Sequence, residues 1–184
     1  MKPQPPFQKL ATDCAGLFVL QPRIFTDPRG SFVKTFHAGL FSELGIPFSP
    51  REEFFSVSTK NVLRGMHFQT PPAAHSKLVY CATGRVLDVV LDLRQNSPTR
   101  GQTVSRELSA ANREMLFIPV GFAHGFLSLE DNTMMVYQTD TVHAPANDAG
   151  VAWHSFGFNW PVGSPIVSER DGKFPAWPEF QSPF

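Results

Sequence analysis

Short runs of β-branched and aromatic residues recur along the chain, and clusters of Gly, Pro, Asn or Asp separate them. Within residues 86–93, apolar residues alternate imperfectly with others, so that Asp88 and Asp92 fall on the face opposite the apolar one. Such alternation predicts a strand with one buried face and one that is wet or lines a polar cavity. The predicted strands are 30–36, 54–59, 77–82, 85–93, 103–108, 115–118, 125–129 and 133–139.

Helical patterns are restricted to a small part of the chain. They predict a helix at 37–44 and a helical turn at 109–113, for which Ser109 is the candidate N-cap. Many short strands with so little helix indicate an all-β sandwich or barrel. No repeat or linker divides residues 1–184, so we predict one domain, with a core at about 14–177 and proline-bearing ends that pack as arms.

Composition and charge exclude several classes of function. Lys plus Arg and Asp plus Glu each number 16, so no net field attracts nucleic acid or a membrane surface. The first 20 residues lack the apolar stretch of a secretory signal, and no apolar run is long enough to span a bilayer. The two cysteines, Cys14 and Cys81, are too few for a disulfide framework or a zinc site. These features predict a soluble, cytoplasmic protein.

Two glycine-framed histidines, His67 and His124, are the strongest candidates for chemistry. His124 ends a Pro-x-Gly-x-x-His segment typical of the second cupin motif, in which a turn delivers the histidine into the mouth of a barrel. Metal-binding cupins also place a glutamate seven residues before a glycine, and the residue seven before Gly84 is Lys77. Because an ammonium group would repel a metal ion, we predict no metal and no other cofactor.

Several segments, taken in order, resemble the dTDP-4-dehydrorhamnose 3,5-epimerase family between about residue 25 and about residue 171. The resemblance implies a cupin-type barrel, a double-stranded β-helix or jelly roll, and a nucleotide-sugar epimerase. Each segment alone is a weak signal, but their order and joint presence make a strong one. The segments are 25–32, 62–69, 77–79, 88–94, 97–101, 118–126, Tyr137, Trp160–Pro161 and 168–171.

Epimerisation beside a ketone needs a base, a group that stabilises the enolate oxygen, and an acid on the opposite face. The resemblance implies that His67 is the base, that Asp171 holds it, and that Tyr137 is the acid. It also implies that Lys77 and His124 stabilise the enolate and that arginines contact the diphosphate. The implied substrate-binding residues are Arg29, Lys34, Glu52, Arg64, Gln69, Lys77, His124, His143 and Arg170.

Some residues differ from the family pattern. Lys34 stands where a glutamate is usual, and Glu52 and Phe54 stand where a glutamine and an asparagine are usual. A carboxylate and an ammonium suit the donors and acceptors of cytosine or guanine better than those of thymine, which favours a CDP-linked or GDP-linked sugar. His143 occupies a position that is commonly tyrosine, so inversion at C3, at C5 or at both carbons is open.

The sequence leaves several alternatives open. A sugar 3,4-ketoisomerase shares the fold, a metal-dependent cupin enzyme would need stoichiometric metal, and a non-catalytic sugar-binding domain would exchange no protons. The resemblance also implies a homodimer with crossed N-terminal strands and a place in O-antigen or other cell-surface polysaccharide synthesis.

A histidine that is not flanked by a glycine-containing motif like those of His67 and His124 is more often a structural or surface residue. We predict that role for His37, His75 and His154.

Overall fold

The computed structural model describes residues 5–184. Within that range the chain forms two antiparallel sheets, a separate hairpin and one short α-helix, α1 (Ala38–Glu43). Three single turns of 3-10 helix follow at Pro145–Asn147, Asp171–Lys173 and Trp177–Glu179. The all-β prediction is therefore confirmed. The strands are β1 (Phe7–Ala11), β2 (Phe18–Pro22), β3 (Ile24–Asp27), β4 (Gly30–Val33), β5 (Glu52–Ser58), β6 (Leu63–Gln69), β7 (Lys77–Thr83), β8 (Arg85–Asp92), β9 (Thr103–Ser109), β10 (Met115–Ile118), β11 (Phe122–Ser128), β12 (Thr133–Thr139) and β13 (Asp148–Gly150).

The two sheets enclose the largest apolar cluster. One sheet has the order β1-β2-β10-β7-β12-β5 and the other β13-β6-β11-β8-β9, while β3 and β4 pair only with each other. Alternate residues of the facing strands point inward, among them Val79, Val90, Phe126 and Met135, and all four are buried. This packing fixes the positions of the polar side chains that share the interior.

Two further clusters cover the outer faces of the sheets. Helix α1 packs Phe41 against Phe7 and Phe48 over the six-stranded sheet. The C-terminal segment packs Phe180 and Phe184 over the five-stranded sheet. Both ends predicted as arms thus contact a sheet: β1 forms an edge strand, and the tail covers β6. Residues 1–4 of the N-terminal arm lie outside the described residues.

The predicted strands and helix agree well with observed elements, but five strands were not predicted. The strands at 115–118 and 133–139 match β10 and β12, and the helix predicted at 37–44 contains α1. The turn predicted at 109–113 is confirmed, because the Arg113 N–H donates to the Ser109 carbonyl at 3.0 Å. Ser109 Oγ accepts from the Asn112 N–H at 3.1 Å, as an N-cap does, and the turn does not extend into a helix. Strands β1, β2, β3, β6 and β13 were not predicted. No described helix has the length and apolar character needed to cross a membrane.

Candidate active site

Paired strands bring the two glycine-framed histidines together. His67 of β6 lies directly opposite His124 of β11, and the register shifts immediately after His124. Gly65 has a φ of +143°, and a Cβ atom there would lie 2.5 Å from the Cα of Gly125. Only glycine permits this approach of the two backbones. The glycines of both motifs therefore set the spacing between the strands that carry the histidines.

His67 forms a close pair with Asp171. His67 Nε2 lies 2.8 Å from Asp171 Oδ1, and the Gly65 N–H donates to Asp171 Oδ2 at 3.0 Å. Burial opposes ionisation of Asp171, but the hydrogen bonds from His67, Gly65 and Arg170 outweigh it and hold its pKa well below the usual range. Burial lowers the pKa of His67, and Asp171 offsets this only in part. The pair is thus a neutral imidazole beside a carboxylate at neutral pH.

Arg170 contacts the same ring nitrogen. Its Nη2 lies 2.8 Å from His67 Nε2, its Nε donates to Asp171 Oδ1 at 3.1 Å, and its Nη1 pairs with Asp148. A guanidinium group can only donate hydrogen bonds. Nε2 of His67 therefore accepts from Arg170 in the tautomer that carries the proton on Nδ1, and it donates to Asp171 in the tautomer that carries the proton on Nε2. A ligand that draws Arg170 away favours the tautomer in which Nε2 carries the proton and Nδ1 can accept one.

Lys77 stands beside this pair. It begins β7, and its Nζ donates to the carbonyl oxygen of His67 at 3.1 Å. Burial lowers the pKa of Lys77 to about 8, although Asp148 and Asp88 favour its charged form. An ammonium group in such a partly desolvated position attracts a developing negative charge more strongly than it would in water.

Tyr137 lies deeper, next to the second histidine. Its ring centroid is 6.2 Å from that of His124, whose Nε2 is 2.8 Å from Asp88 Oδ2. The Tyr137 hydroxyl lies 3.4 Å from Ser56 Oγ, and Phe54 stacks on the Tyr137 ring at 4.8 Å. Burial raises the pKa of Tyr137, so the phenol keeps its proton throughout the ordinary pH range. This group can give up a proton only to a strong base such as an enolate.

A cavity of about 220 Å³ opens in front of His67. It brings together five predicted site residues and four that were not predicted as site residues, Phe54, Phe68, His75 and Asp148. Larger surface clefts exist, but one of about 710 Å³ beside α1 has no histidine, lysine or tyrosine in its lining. The five predicted residues in the small cavity are His67, Gln69, Lys77, His143 and Arg170.

Other predicted site residues lie around or away from this cavity. Arg64 of β6 donates to Ser58 and to the Val57 carbonyl on β5, an edge strand of the other sheet. Glu52 accepts a hydrogen bond from the His143 N–H at 2.7 Å. Arg29 is paired with Asp27 in the β3–β4 hairpin, and Lys34 is exposed just after it. Neither Arg29 nor Lys34 lines the cavity of its own chain.

Comparison with known proteins agrees with this geometry. The family model for dTDP-4-dehydrorhamnose 3,5-epimerase matches residues 11–179. The chain belongs to this family. A dTDP-4-dehydrorhamnose 3,5-epimerase from Shigella flexneri is 39% identical over 165 residues, which cover 88% of this chain and 91% of the relative.

Solved structures of the same family superpose closely. The enzyme from Bacillus anthracis, with TDP and PPi bound, has a TM-score of 0.90 and 36% identity, and the match covers 92% of this chain and 99% of that one. The enzyme from Legionella pneumophila, in complex with dTDP-4-keto-L-rhamnose, has a TM-score of 0.91 and 32% identity, with 95% of each chain covered. The predicted family, cupin-type fold and nucleotide-sugar epimerase activity are confirmed, and the protein is an isomerase.

In this member of the dTDP-4-dehydrorhamnose 3,5-epimerase family, His75 is a cavity residue that was not predicted from the sequence. We expected a structural or surface histidine, yet His75 lines the cavity with His67 and Lys77. The available signal was its position two residues before Lys77, since alternate residues of an extended segment point to the same side. Asp148 had no local signal, because its place is fixed by the pairing of β13 with β6.

Proposed function

We propose that this protein inverts C3 and C5 of a dTDP-linked 4-keto-6-deoxy-hexose, with His67 as base and Tyr137 as acid. The supporting observation is the His67–Asp171 pair at a cavity that also contains Lys77, with Tyr137 stacked beneath Phe54 of the same lining. An epimerase needs a base and an acid that approach one carbon from different sides, together with a cation for the enolate oxygen. These four side chains supply all of those functions.

In the proposed reaction, His67 Nδ1 takes the proton from the carbon beside the ketone while Nε2–H donates to Asp171. The electron pair of the broken C–H bond moves to the ketone oxygen and forms an enolate, which Lys77 stabilises by its charge. Tyr137 O–H then gives a proton to the opposite face of that carbon, and the enolate returns to the ketone. Exchange with solvent removes the proton from His67 and restores the one on Tyr137, so the enzyme ends unchanged.

His124 serves the same enolate in this proposal. Its pairing with Asp88 at 2.8 Å fixes the ring in the barrel interior beside Tyr137, and both side chains are buried. A second donor near the ketone oxygen would share the negative charge with Lys77.

Arginines and polar side chains bind the rest of the substrate in this proposal. Arg170 leaves His67 when it engages the diphosphate, which favours the tautomer of His67 that can act as a base. Arg64 is exposed on β6 and is suited to the same phosphates, because a guanidinium forms paired hydrogen bonds with their oxygens. Gln69 and His143 lie near the hexose end, in the cavity lining.

The nucleobase is proposed to be thymine. The CDP or GDP preference rested on Lys34 and Glu52, but Glu52 is engaged with the His143 N–H. The matched relatives are named as dTDP-sugar enzymes, and one is bound to TDP. These observations favour dTDP over the two alternatives.

Deuterium incorporation tests the proposed function directly. The protein is incubated in D₂O with dTDP-, CDP- and GDP-linked 4-keto-6-deoxyhexoses, and proton NMR follows C3 and C5. With the dTDP sugar we expect one deuterium at each carbon and inversion at both. Deuterium at one carbon only would limit the reaction to a single centre, and transfer of the keto group to C3 would identify a ketoisomerase. No exchange with any of the three would contradict the proposal.

The pH dependence of kcat/KM should be bell-shaped. His67 must be unprotonated to act, and its pKa lies below the ordinary value of about 6.5, so the acid limb falls below that pH. Lys77 must be charged, and its pKa of about 8 makes the rate fall above that pH. Tyr137 stays protonated across this range. Initial rates between pH 5 and 10 test the assignment, and Lys77→Arg should lose the alkaline limb whatever its absolute rate.

The active form is proposed to be a homodimer in the cytoplasm, with residues 1–184 acting as one domain. The β3–β4 hairpin exposes Phe32 at 61%, and the edge strand β5 exposes Phe55 at 64%. Exposed apolar residues on an open edge are a common site of strand pairing between copies. Crossing of the hairpins would bring Arg29 and Lys34 to the neighbouring cavity. Light scattering should give twice the mass of one chain, and a monomer with full activity would contradict the proposal.

A further inference from the structure

The side-chain amide of Gln69 has a fixed orientation next to His75. Gln69 Oε1 accepts from the Ala144 N–H at 2.6 Å, and Gln69 Nε2 donates to the Ala73 carbonyl at 2.7 Å. Exchanging the oxygen and nitrogen of the amide would place donor against donor and acceptor against acceptor. Gln69 therefore presents an N–H group, not an oxygen, to His75.

That N–H group determines the tautomer of His75. Gln69 Nε2 lies 3.0 Å from His75 Nδ1, which must accept this hydrogen bond. A neutral imidazole with an accepting Nδ1 carries its proton on Nε2. Burial lowers the pKa of His75 to about 3, with Lys77 and His143 adding to the effect, so the ring stays neutral at working pH.

The Nε2–H of His75 is thus a hydrogen-bond donor for which the described residues provide no acceptor. His75 Nε2 is buried and forms no hydrogen bond with any of the residues 5–184. Buried donors are almost always satisfied in folded proteins, so a donor that no protein group satisfies needs a partner from outside the chain. His75 belongs to the lining of the cavity that contains His67 and Lys77.

We propose that His75 Nε2–H donates a hydrogen bond to an oxygen of the hexose, a hydroxyl or the ketone, and so orients the sugar ring between His67 and Tyr137. The proposal rests on the function proposed above. A neutral donor suits an uncharged sugar oxygen, whereas the phosphate oxygens have Arg64 and Arg170 as cationic partners. His75 is therefore a positioning and specificity residue for the sugar, with no part in proton transfer.

Substitution by asparagine separates the two nitrogens of His75. In His75→Asn the shorter amide can still accept from Gln69 through its oxygen, but it has no group at the Nε2 position. Binding is measured by calorimetry with dTDP-quinovose, whose hexose does not react, and with dTDP, which has no hexose. We expect affinity for dTDP-quinovose to fall about tenfold, the effect of one hydrogen bond, and affinity for dTDP to be unchanged.

Three further variants complete the comparison. His154→Asn makes the same change at an exposed histidine outside the cavity and should leave both affinities unchanged. His75→Gln, which can place an N–H near the original Nε2, should recover part of the loss. If His75→Asn does not fold, His75→Met provides a side chain of suitable length without a donor.

Equal loss of affinity for dTDP-quinovose and dTDP would overturn the proposal, because a general structural role predicts that result. Unchanged affinity for dTDP-quinovose in the donor-free variant, or no binding of it by the unmodified protein, would overturn it as well. The measurement requires no turnover. An absence of deuterium exchange in the unmodified protein would therefore contradict the proposed function, while the binding comparison would still decide the role of His75.

Discussion

His67→Asn is expected to lower both deuterium exchange and epimerisation by about 10²–10⁴-fold, the usual effect of removing a general base. Asparagine retains a polar side chain of moderate size but cannot take a proton from carbon. Asp171 keeps its hydrogen bond from the Gly65 N–H and its contact with Arg170, so its carboxylate does not lose all its partners. The large effect should therefore appear in the rate and not in the free energy of unfolding.

The control for this variant is the same change at an exposed histidine. His154→Asn should retain the exchange rate of the unmodified protein, and thermal unfolding should show that His67→Asn remains folded. Both NMR exchange at C3 and C5 and product formation are measured for each variant. A folded His67→Asn protein that exchanges deuterium at the original rate would remove His67 from the role of base.

The strands that were predicted correctly share a simple property of their sequence. β10 and β12 consist largely of apolar and β-branched residues and are bounded by turn residues, which are local properties. β6 was not predicted because Arg64, Gly65 and His67 interrupt its apolar pattern. Those residues are explained by the close approach of β11 and by the chemistry of the site, neither of which is a local property.

Alternation in β8 correctly separated Asp88 and Asp92 from the apolar face, but it could not predict their surroundings. Both carboxylates are fully buried. Asp88 pairs with His124, while Asp92 accepts hydrogen bonds from Arg94, Ser97 and Thr99. These hydrogen bonds offset burial and lower the pKa of Asp92 to about 2. A wet strand face and a buried polar network give the same alternation, so only the partners distinguish them.

Part of the candidate site follows from motifs, and part requires tertiary structure. The family pattern named His67 and Lys77, and both line one cavity. It could not reveal the donor on His75, because that depends on hydrogen bonds from Gln69 to Ala73 and Ala144. It also could not predict how Arg29 and Lys34 reach a substrate, because the hairpin that precedes Lys34 is not paired with either sheet of its own chain.

Tyr137→Phe is expected to separate exchange from inversion. Without the phenol, His67 can still remove the proton and return deuterium to the same face, so label enters with the original configuration. Inversion should fall by about 10²–10⁴-fold, because no acid remains on the opposite face. The stacked contact with Phe54 and the position beside His124 depend on the ring, which phenylalanine keeps. NMR of the recovered sugar measures label and configuration in the same sample.

The chain contains a matched control, because it has only two tyrosines. Tyr80 lies on β7 and lines a different cavity, with Thr35 and Met115, so Tyr80→Phe should alter neither exchange nor inversion. Inversion at the original rate in Tyr137→Phe would exclude the phenol as the acid. An equal loss of exchange and inversion would also contradict the assignment, since the base on the other face would then depend on Tyr137. Retained exchange without inversion is the result that only two separate proton-transfer groups, one on each face of the carbon, can produce.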